Sequence, residues 1–132
     1  MIAGNRRQVL RFVEALTAGS FPDDLFAPDL TCWTTASGEM DTALYRAVPG
    51  MLKSIFPNGL AFHIDAIIVE ADRAAAEVRS EGMFDGDQHY ANQYVFIFSF
   101  TDDGRICSVA EHLNPLRVPE ALASRMMAAL PG

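Results

Sequence analysis

Two Asp-Gly pairs, at positions 85–86 and 103–104, constrain the fold of this chain more than any other feature. Each pair lies between segments in which apolar and polar residues alternate, and alternation with a period of two is typical of half-buried strands. Asp-Gly is a strong signal for a β-hairpin, because both residues of a tight two-residue turn need a positive φ. The pairs therefore predict two consecutive hairpins.

The second half of the chain is predicted to be mostly sheet, and the first half mostly helix. Strands are expected at about 30–34, 60–70, 73–83, 88–101 and 105–114. Helices are expected at 5–18, 21–26, 42–56 with a break at Pro49-Gly50, and 119–130. Asn5 is the predicted cap of the first helix, and Gly19 its left-handed stop. Helices followed by an antiparallel meander indicate an α+β fold.

Two-residue turns at both Asp-Gly pairs would fix the register of the hairpins. Arg79 would then face Asn92, Glu81 would face Tyr90, and in the second hairpin Phe96 would face Glu111. A one-residue bulge would move every side chain of a strand to the opposite face.

With this register, Glu111 lies in the middle of the more apolar face, which the helices should cover. A carboxylate there is either paired or has a raised pKa, so Glu111 is the predicted general acid or base. Arg79 and Glu81 are predicted to orient or polarise a substrate beside it. The structural alternatives are a Glu111 carboxylate paired with Arg79 or with a helix donor, and a solvated stripe of charges along the Arg79 strand.

The same face is predicted to bind a small apolar ligand, because apolar walls with a few convergent polar groups are typical of ligand sites. The predicted binding residues are Trp33, Phe62, Ile64, Tyr90, Asn92, Tyr94 and Leu113. Tyr90, Asn92 and Tyr94 have a plainer interpretation, in which they only satisfy one another inside the core.

The opposite face of the sheet is predicted to be mixed and to pack against a second copy of the chain in a homodimer. It would carry His63, Asp65, His89, Gln93, Val95, Ile97, Ala110 and His112.

Composition excludes several classes of partner. The 132 residues, with a formal charge of −7 and ten scattered Lys and Arg, fit a single domain, 1–132, that binds neither nucleic acid nor anionic membrane. We expect no membrane span and no signal peptide. Cys32 and Cys107 are interpreted as free thiols of a cytoplasmic protein, and the dispersed histidines predict no metal site.

The closing strands resemble those of a known family. Tyr-Ala-Asn-Gln-Tyr-Val-Phe-Ile-Phe at 90–98, Asp-Gly-Arg-Ile at 103–106 and Glu-His-Leu-Asn-Pro at 111–115 are similar to the end of SnoaL-like proteins in the nuclear transport factor 2 and ketosteroid isomerase superfamily. The resemblance implies an α+β roll, in which a cone-shaped, strongly curved antiparallel sheet carries the N-terminal helices on its concave face.

The resemblance also implies chemistry without a cofactor, performed by pocket carboxylates on apolar polyketide-, steroid- or terpenoid-like substrates. Isomerase, cyclase and limonene-epoxide hydrolase activities stay open, as does a non-catalytic binding module or dimeric scaffold. Arg79-Ser80-Glu81 and Glu111 look similar to the Arg-x-Asp and second Asp of the epoxide hydrolases. The Tyr-x-Asn of those enzymes is replaced by Trp33-Thr34-Thr35.

Overall fold

The computed structural model describes residues 2–130, which form four α-helices and six strands. The helices are α1 Ile2–Ala18, α2 Thr42–Arg46, α3 Val48–Ile55 and α4 Glu120–Ala128, with a 3₁₀ turn at Pro115–Arg117 before the last. The strands are β1 Phe26–Thr34, β2 Gly38–Met40, β3 Ala61–Val69, β4 Arg73–Phe84, β5 Gln88–Phe100 and β6 Ile106–Leu113.

The six strands form one curled, unclosed sheet in the order β2-β1-β6-β5-β4-β3. The predicted α+β class is therefore confirmed. Four of the five pairings are antiparallel, and β1 lies parallel to β6, a pairing that the prediction of an antiparallel sheet did not include. The long segment between β1 and β6 makes this crossover possible, because parallel neighbours cannot be joined by a tight turn.

Helix α1 begins three residues earlier than predicted, and Asn5 does not cap it. The Asn5 side chain is 1% exposed and donates hydrogen bonds to the carbonyl oxygens of Glu70 and Ala71, at 3.1 and 2.9 Å. It therefore ties the helix to the β3–β4 turn. At the other end Gly19 has φ +102° and its N–H bonds to the Ala15 carbonyl, so the predicted left-handed stop is confirmed.

Three other local predictions differ from the structure. Residues 21–25 contain turns and no helix, and Phe26 already begins β1. The break between α2 and α3 falls at Ala47, so Pro49 lies in the first turn of α3, where its missing N–H costs no hydrogen bond. The short edge strand β2 was not predicted.

The predicted register is correct in the second hairpin and wrong in the first. In the second hairpin, Phe96 pairs with Glu111 as predicted. In the first, Phe84 pairs with Gln88 across a three-residue loop, Asp85–Asp87, and the predicted register is wrong by one residue. Asp85 and Gly86 both have positive φ, so the turn chemistry was right and the extra residue was missed.

The inner face of the sheet, defined as the face that packs against α1, carries the core. Phe12 of α1 lies 5.2 Å from the Phe96 ring and 5.0 Å from the Phe98 ring, both edge to face. Val9, Val13 and Leu16 share the buried side of α1. Within residues 2–130, none of the helices has the length and hydrophobicity needed to span a bilayer.

Candidate active site

A cavity of about 440 Å³ lies between the inner face of the sheet and helices α2, α3 and α4. That volume is within the usual range of small-molecule sites. Most of its lining side chains are apolar: Leu16, Ala36, Met40, Leu44, Val48, Met51, Leu52, Phe56, Leu60, Phe62, Phe96, Leu113, Val118, Leu122, Ala123, Met126, Met127 and Leu130. The polar lining residues are Thr34, Ser37, Tyr45, Tyr90, Tyr94 and Glu111.

Glu111 lies on β6 between two strands, paired with Phe96 of β5 and Thr34 of β1. The end of β1 holds this position by two further bonds: the Thr35 N–H donates to the Glu111 carbonyl at 3.0 Å, and the Thr35 hydroxyl accepts the Leu113 N–H at 3.1 Å. The side chain is partly buried and forms part of the cavity wall. A carboxyl group is therefore held in a rigid strand and presented to an apolar space.

The Glu111 carboxyl accepts a hydrogen bond from a buried tyrosine. The hydroxyl of Tyr45 donates to Glu111 Oε1 at 3.1 Å, and the Tyr45 side chain is 1% exposed. Asp41 positions Tyr45 by capping α2, since its carboxylate accepts the N–H groups of Ala43 and Leu44. Two segments distant in sequence thus meet at the acid.

Burial raises the pKa of Glu111 to about 7, against an opposing effect of the Tyr45 hydrogen bond, which stabilises the ionised form. Burial also raises the pKa of Tyr45 well above its ordinary value, so this hydroxyl keeps its proton and remains a donor. A carboxyl group that titrates near neutral pH can both take and return a proton at physiological pH.

A second polar group, the hydroxyl cluster of Ser80, Tyr90 and Tyr94, lies on the same face. The Tyr94 oxygen is 2.8 Å from Ser80 Oγ and 3.0 Å from the Tyr90 oxygen. The Asn92 side-chain amide donates to the Tyr90 oxygen at 2.9 Å. Burial raises the pKa of Tyr90 and Tyr94, so both stay protonated.

The structure brings half of the predicted site residues together. Glu111, Phe62, Tyr90, Tyr94 and Leu113 all line the cavity. Two others lie on the inner side without being among its lining residues: Asn92, which is 2% exposed and lies behind Tyr90, and Ile64, which packs against the core.

Arg79, Glu81 and Trp33 are not part of this cavity. The predicted placement of Arg79 and Glu81 beside Glu111 is wrong, and so is the placement of Trp33 among the residues of the inner face. Because the first hairpin is shifted by one residue, Arg79 and Glu81 lie on the outer face, opposite Gln93 and Ala91. Arg79 forms a bidentate ion pair there with Asp65, with Nε–O distances of 2.8 and 3.0 Å. Glu81 contacts His89 at 3.2 Å.

Trp33 also points outward. Its neighbours Cys32 and Thr34 are buried, so the alternation along β1 leaves the Trp33 indole on the outer face, where it is 38% exposed and lies 4.9 Å from the His112 ring. Its neighbour Thr34, which the sequence reasoning did not select, lines the cavity instead.

The sequence reasoning also missed Tyr45 and the apolar contribution of α3 and α4. The available signal was a lone tyrosine in a segment predicted to be helical, since a tyrosine hydroxyl that becomes buried needs a partner. Within residues 2–130, no group of three or more His, Cys, Asp or Glu side chains is placed to hold a metal ion.

Comparison with known proteins agrees with this fold. A family model described as a SnoaL-like domain matches residues 9–109. A search of curated proteins found no match to the chain.

Solved structures show the same fold at low sequence identity. AclR from Streptomyces galilaeus, described as a candidate hydroxylase, is 20% identical, with a TM-score of 0.75 over 100% of this chain and 89% of that one. A candidate SnoaL-like polyketide cyclase from Jannaschia sp. CCS1 is 18% identical, with a TM-score of 0.70 over 100% and 96%. An epoxide hydrolase of the LEH-like type from M. tuberculosis is 16% identical, with a TM-score of 0.72 over 96% and 95%.

Proposed function

The chain belongs to the SnoaL-like domain family, and on that premise we propose that it is a cofactor-independent enzyme that moves a proton on a small apolar substrate, as an isomerase or a cyclase does. One observation carries the proposal: the Glu111 carboxyl lines an apolar cavity, accepts a hydrogen bond from the buried Tyr45, and has a pKa of about 7. A positioned acid or base of this kind contributes roughly 10²–10⁴ in rate.

The proposed step uses Glu111 as the base. Its carboxylate removes a proton from a carbon next to a substrate carbonyl, and the electron pair of that C–H bond moves to form an enolate. The protonated Glu111 then returns the proton to the same or another carbon. In a cyclisation, the enolate carbon instead attacks a second carbonyl, whose π electrons move to its oxygen, and Glu111 gives its proton to the alkoxide that forms. Tyr45 holds the carboxylate in place, and the apolar walls exclude water, which strengthens the electrostatic interactions in the cavity.

Hydrolysis of an epoxide has less support from this geometry. The resemblance to the epoxide hydrolases placed Arg79 and Glu81 beside Glu111, whereas both lie on the outer face. Among residues 2–130, Glu111 is the one charged side chain of the cavity wall. An acid without a charged partner fits reversible proton transfer better than activation of water by an acid–arginine network.

The same observation favours one alternative, a non-catalytic binding module of the same fold. A single acid in an apolar cavity can orient a bound molecule without reacting with it. Under this alternative the protein binds apolar ligands and gives no turnover, and the exchange experiment below distinguishes the two functions.

The test is deuterium exchange on a ketone that fits the cavity. We would incubate 2-acetylnaphthalene in D₂O with the protein and follow the loss of the methyl proton signal by NMR. The wild type should accelerate exchange, and Glu111→Gln should reduce the acceleration by about 10²-fold or more. Glu81→Gln is the matched control, since this carboxylate is 74% exposed on the outer face and the variant should retain wild-type exchange.

Two outcomes would contradict the proposal. Exchange that is equally fast in wild type and Glu111→Gln would remove the acid–base role of Glu111. Exchange that is lost in Glu81→Gln would return that residue to the reaction and contradict the assignment of the inner face.

We also propose that the protein acts in the cytoplasm as a homodimer of single-domain chains. Cys32 and Cys107 are both free thiols, which a reducing compartment maintains. The outer sheet face, with its exposed aromatic and aliphatic side chains, is the surface for the second copy.

A further inference from the structure

The hydrogen bonds of the hydroxyl cluster beside the cavity have defined donors and acceptors. The first of them is defined by the orientation of the Asn92 side-chain amide. The Asn92 side-chain oxygen accepts the N–H groups of Gln93 and Asn114, at 2.8 and 3.3 Å. The Asn92 NH₂ group faces the Asn114 carbonyl at 3.1 Å and the Tyr90 oxygen at 2.9 Å. Because backbone N–H groups only donate and carbonyls only accept, the amide cannot be flipped, and Asn92 must donate to Tyr90.

Ser80 fixes the other end of the cluster. Its side chain is 3% exposed, and within the described part of the chain its hydroxyl has one hydrogen-bond partner, the Tyr94 oxygen at 2.8 Å. A buried hydroxyl hydrogen without an acceptor destabilises the folded state, so Ser80 should donate to Tyr94. The hydrogen of Tyr94 then has the Tyr90 oxygen as its acceptor, at 3.0 Å.

Tyr90 is the end of this chain of donors. Its oxygen accepts from both Asn92 and Tyr94, which uses both of its lone pairs, and its own hydrogen is left without a protein acceptor among residues 2–130. Tyr90 lines the cavity. Each donor in such a chain polarises the next, so the last O–H is a stronger donor than an isolated tyrosine.

We propose that Tyr90 is a binding subsite for an uncharged oxygen acceptor of the ligand, such as a ketone carbonyl, and that Ser80, Tyr94 and Asn92 direct its hydroxyl toward that oxygen. The inference rests on the proposed function and names its substrate class, an apolar molecule with a carbonyl group. An anionic oxygen is disfavoured, because the charged side chain of the described cavity wall is the Glu111 carboxyl.

The pairing of the strands supports a shared role for the subsite and the acid. Glu111 pairs with Phe96, and Tyr94 pairs with Leu113, so both project from the same face of adjacent strands. Tyr90 follows on that face, four residues from Tyr94 along β5. Tyr90 and Glu111 therefore line one cavity from the same face of the sheet.

Two nearly isosteric probes, 2-acetylnaphthalene and 2-isopropenylnaphthalene, test the subsite by equilibrium binding. The measured quantity is the ratio of their dissociation constants, and it is compared between variants. The two probes have nearly the same apolar part, so the contribution of that part to binding cancels in the ratio. Tyr90→Phe should lower the relative affinity for the ketone by about three- to tenfold. Tyr94→Phe should lower this relative affinity less than Tyr90→Phe does, by about twofold, because the Tyr90 hydroxyl stays free to bind the ketone but loses one polarising donor.

An infrared measurement gives a second readout. The carbonyl stretch of the bound ketone should move to lower frequency in wild type, by a smaller amount in Tyr94→Phe, and not at all in Tyr90→Phe. If Tyr94→Phe does not fold, the double variant Ser80→Ala/Tyr94→Phe removes the unpaired Ser80 hydroxyl and serves in its place.

Several results would overturn the inference. An unchanged ratio in Tyr90→Phe would do so, and so would a loss of ketone preference in Tyr94→Phe equal to that in Tyr90→Phe. Failure of both probes to bind at roughly millimolar concentration would contradict the subsite and the ligand cavity together. If Tyr90→Phe does not change the relative affinity for the ketone while Glu111-dependent exchange is intact, the subsite alone is overturned. If Tyr90→Phe lowers that affinity but the wild type gives no exchange, the catalytic proposal alone is overturned.

Discussion

Glu111 makes the stability of the folded protein depend on pH. Below about pH 4.5, the ordinary pKa of the carboxyl, folded and unfolded chains both carry the proton, and the raised pKa has no effect. As the pH rises toward about 7, the unfolded chain releases the proton and the folded chain retains it, which lowers the free energy of unfolding by up to about 3 kcal/mol. Above about pH 7 the whole loss is present.

We therefore expect Glu111→Gln to become more stable relative to wild type as the pH is raised from about 4.5 to 8. Urea unfolding at the two pH values measures the difference. Glu81→Gln is the matched control, and its stability difference from wild type should stay within about 1 kcal/mol over the same range, because its contact with His89 is a solvent-exposed ion pair. A stability gap between Glu111→Gln and wild type that stays constant with pH would contradict the burial of the acid.

Tyr45→Phe should raise the pKa of Glu111 further. The Tyr45 hydrogen bond stabilises the ionised carboxylate, so its removal favours the protonated form and costs about 1 kcal/mol of folding stability above the carboxyl pKa. Carbon-13 NMR of labelled glutamate side chains measures the titration, and Glu111→Gln identifies the resonance. A midpoint that stays in place or moves to lower pH would show that Tyr45 does not hold the acid.

Strand β4 shows which part of the fold the sequence could predict. The strand boundaries were predicted within a few residues, because alternation and turn residues are local signals. The register was wrong because turn type alone was used to set it. Ala74, Ala76, Val78 and Ser80 are buried, whereas Glu77, Arg79 and Glu81 alternate with them, so the charged set should have been assigned to the outer face from its composition.

Gly82 of β4 is tightly enclosed, and its replacement by Ala should destabilise the protein. A Cβ there would lie 3.0 Å from the Gly59 carbonyl oxygen and 3.0 Å from Leu60 Cδ1. Overpacking of this kind lowers the free energy of unfolding by about 1–3 kcal/mol. Gly4→Ala is the control, since nothing lies within 4 Å of its Cβ position in α1 and the change should stabilise by up to about 1 kcal/mol. Thermal unfolding should give shifts of opposite sign, and equal shifts would contradict the enclosure.

For the molecule as a whole, we expect the outer sheet face to mediate dimerisation. Trp33 and Val95 are 38% and 37% exposed on this face, which also carries the Arg79–Asp65 ion pair. Val95→Glu would bury an unpaired charge in such an interface, which is strongly destabilising. We expect sedimentation equilibrium to give the mass of two chains for wild type and of one for Val95→Glu. Leu116→Glu, at a residue that is 93% exposed in the 3₁₀ turn, should remain dimeric. A monomeric wild type would contradict the prediction.

The sequence identified the acid of the site and left out its partner. Glu111 could be recognised because it interrupts an apolar strand face, which is visible within a few residues. Tyr45 lies 66 residues away, on a short helix whose position depends on packing against β1, and no local pattern specifies that contact. Trp33 was assigned to the cavity and Thr34 was not, because the phase of β1 is set by its parallel pairing with β6.

The parallel pairing of β1 with β6 also affects how the site forms during folding. β1 and β6 are far apart in sequence, and closing so long a loop is slow compared with forming a hairpin. The Glu111 carboxyl and the Tyr45 hydroxyl can meet only when β1 has paired with β6. The catalytic step that we propose would therefore require this long-range pairing to be in place.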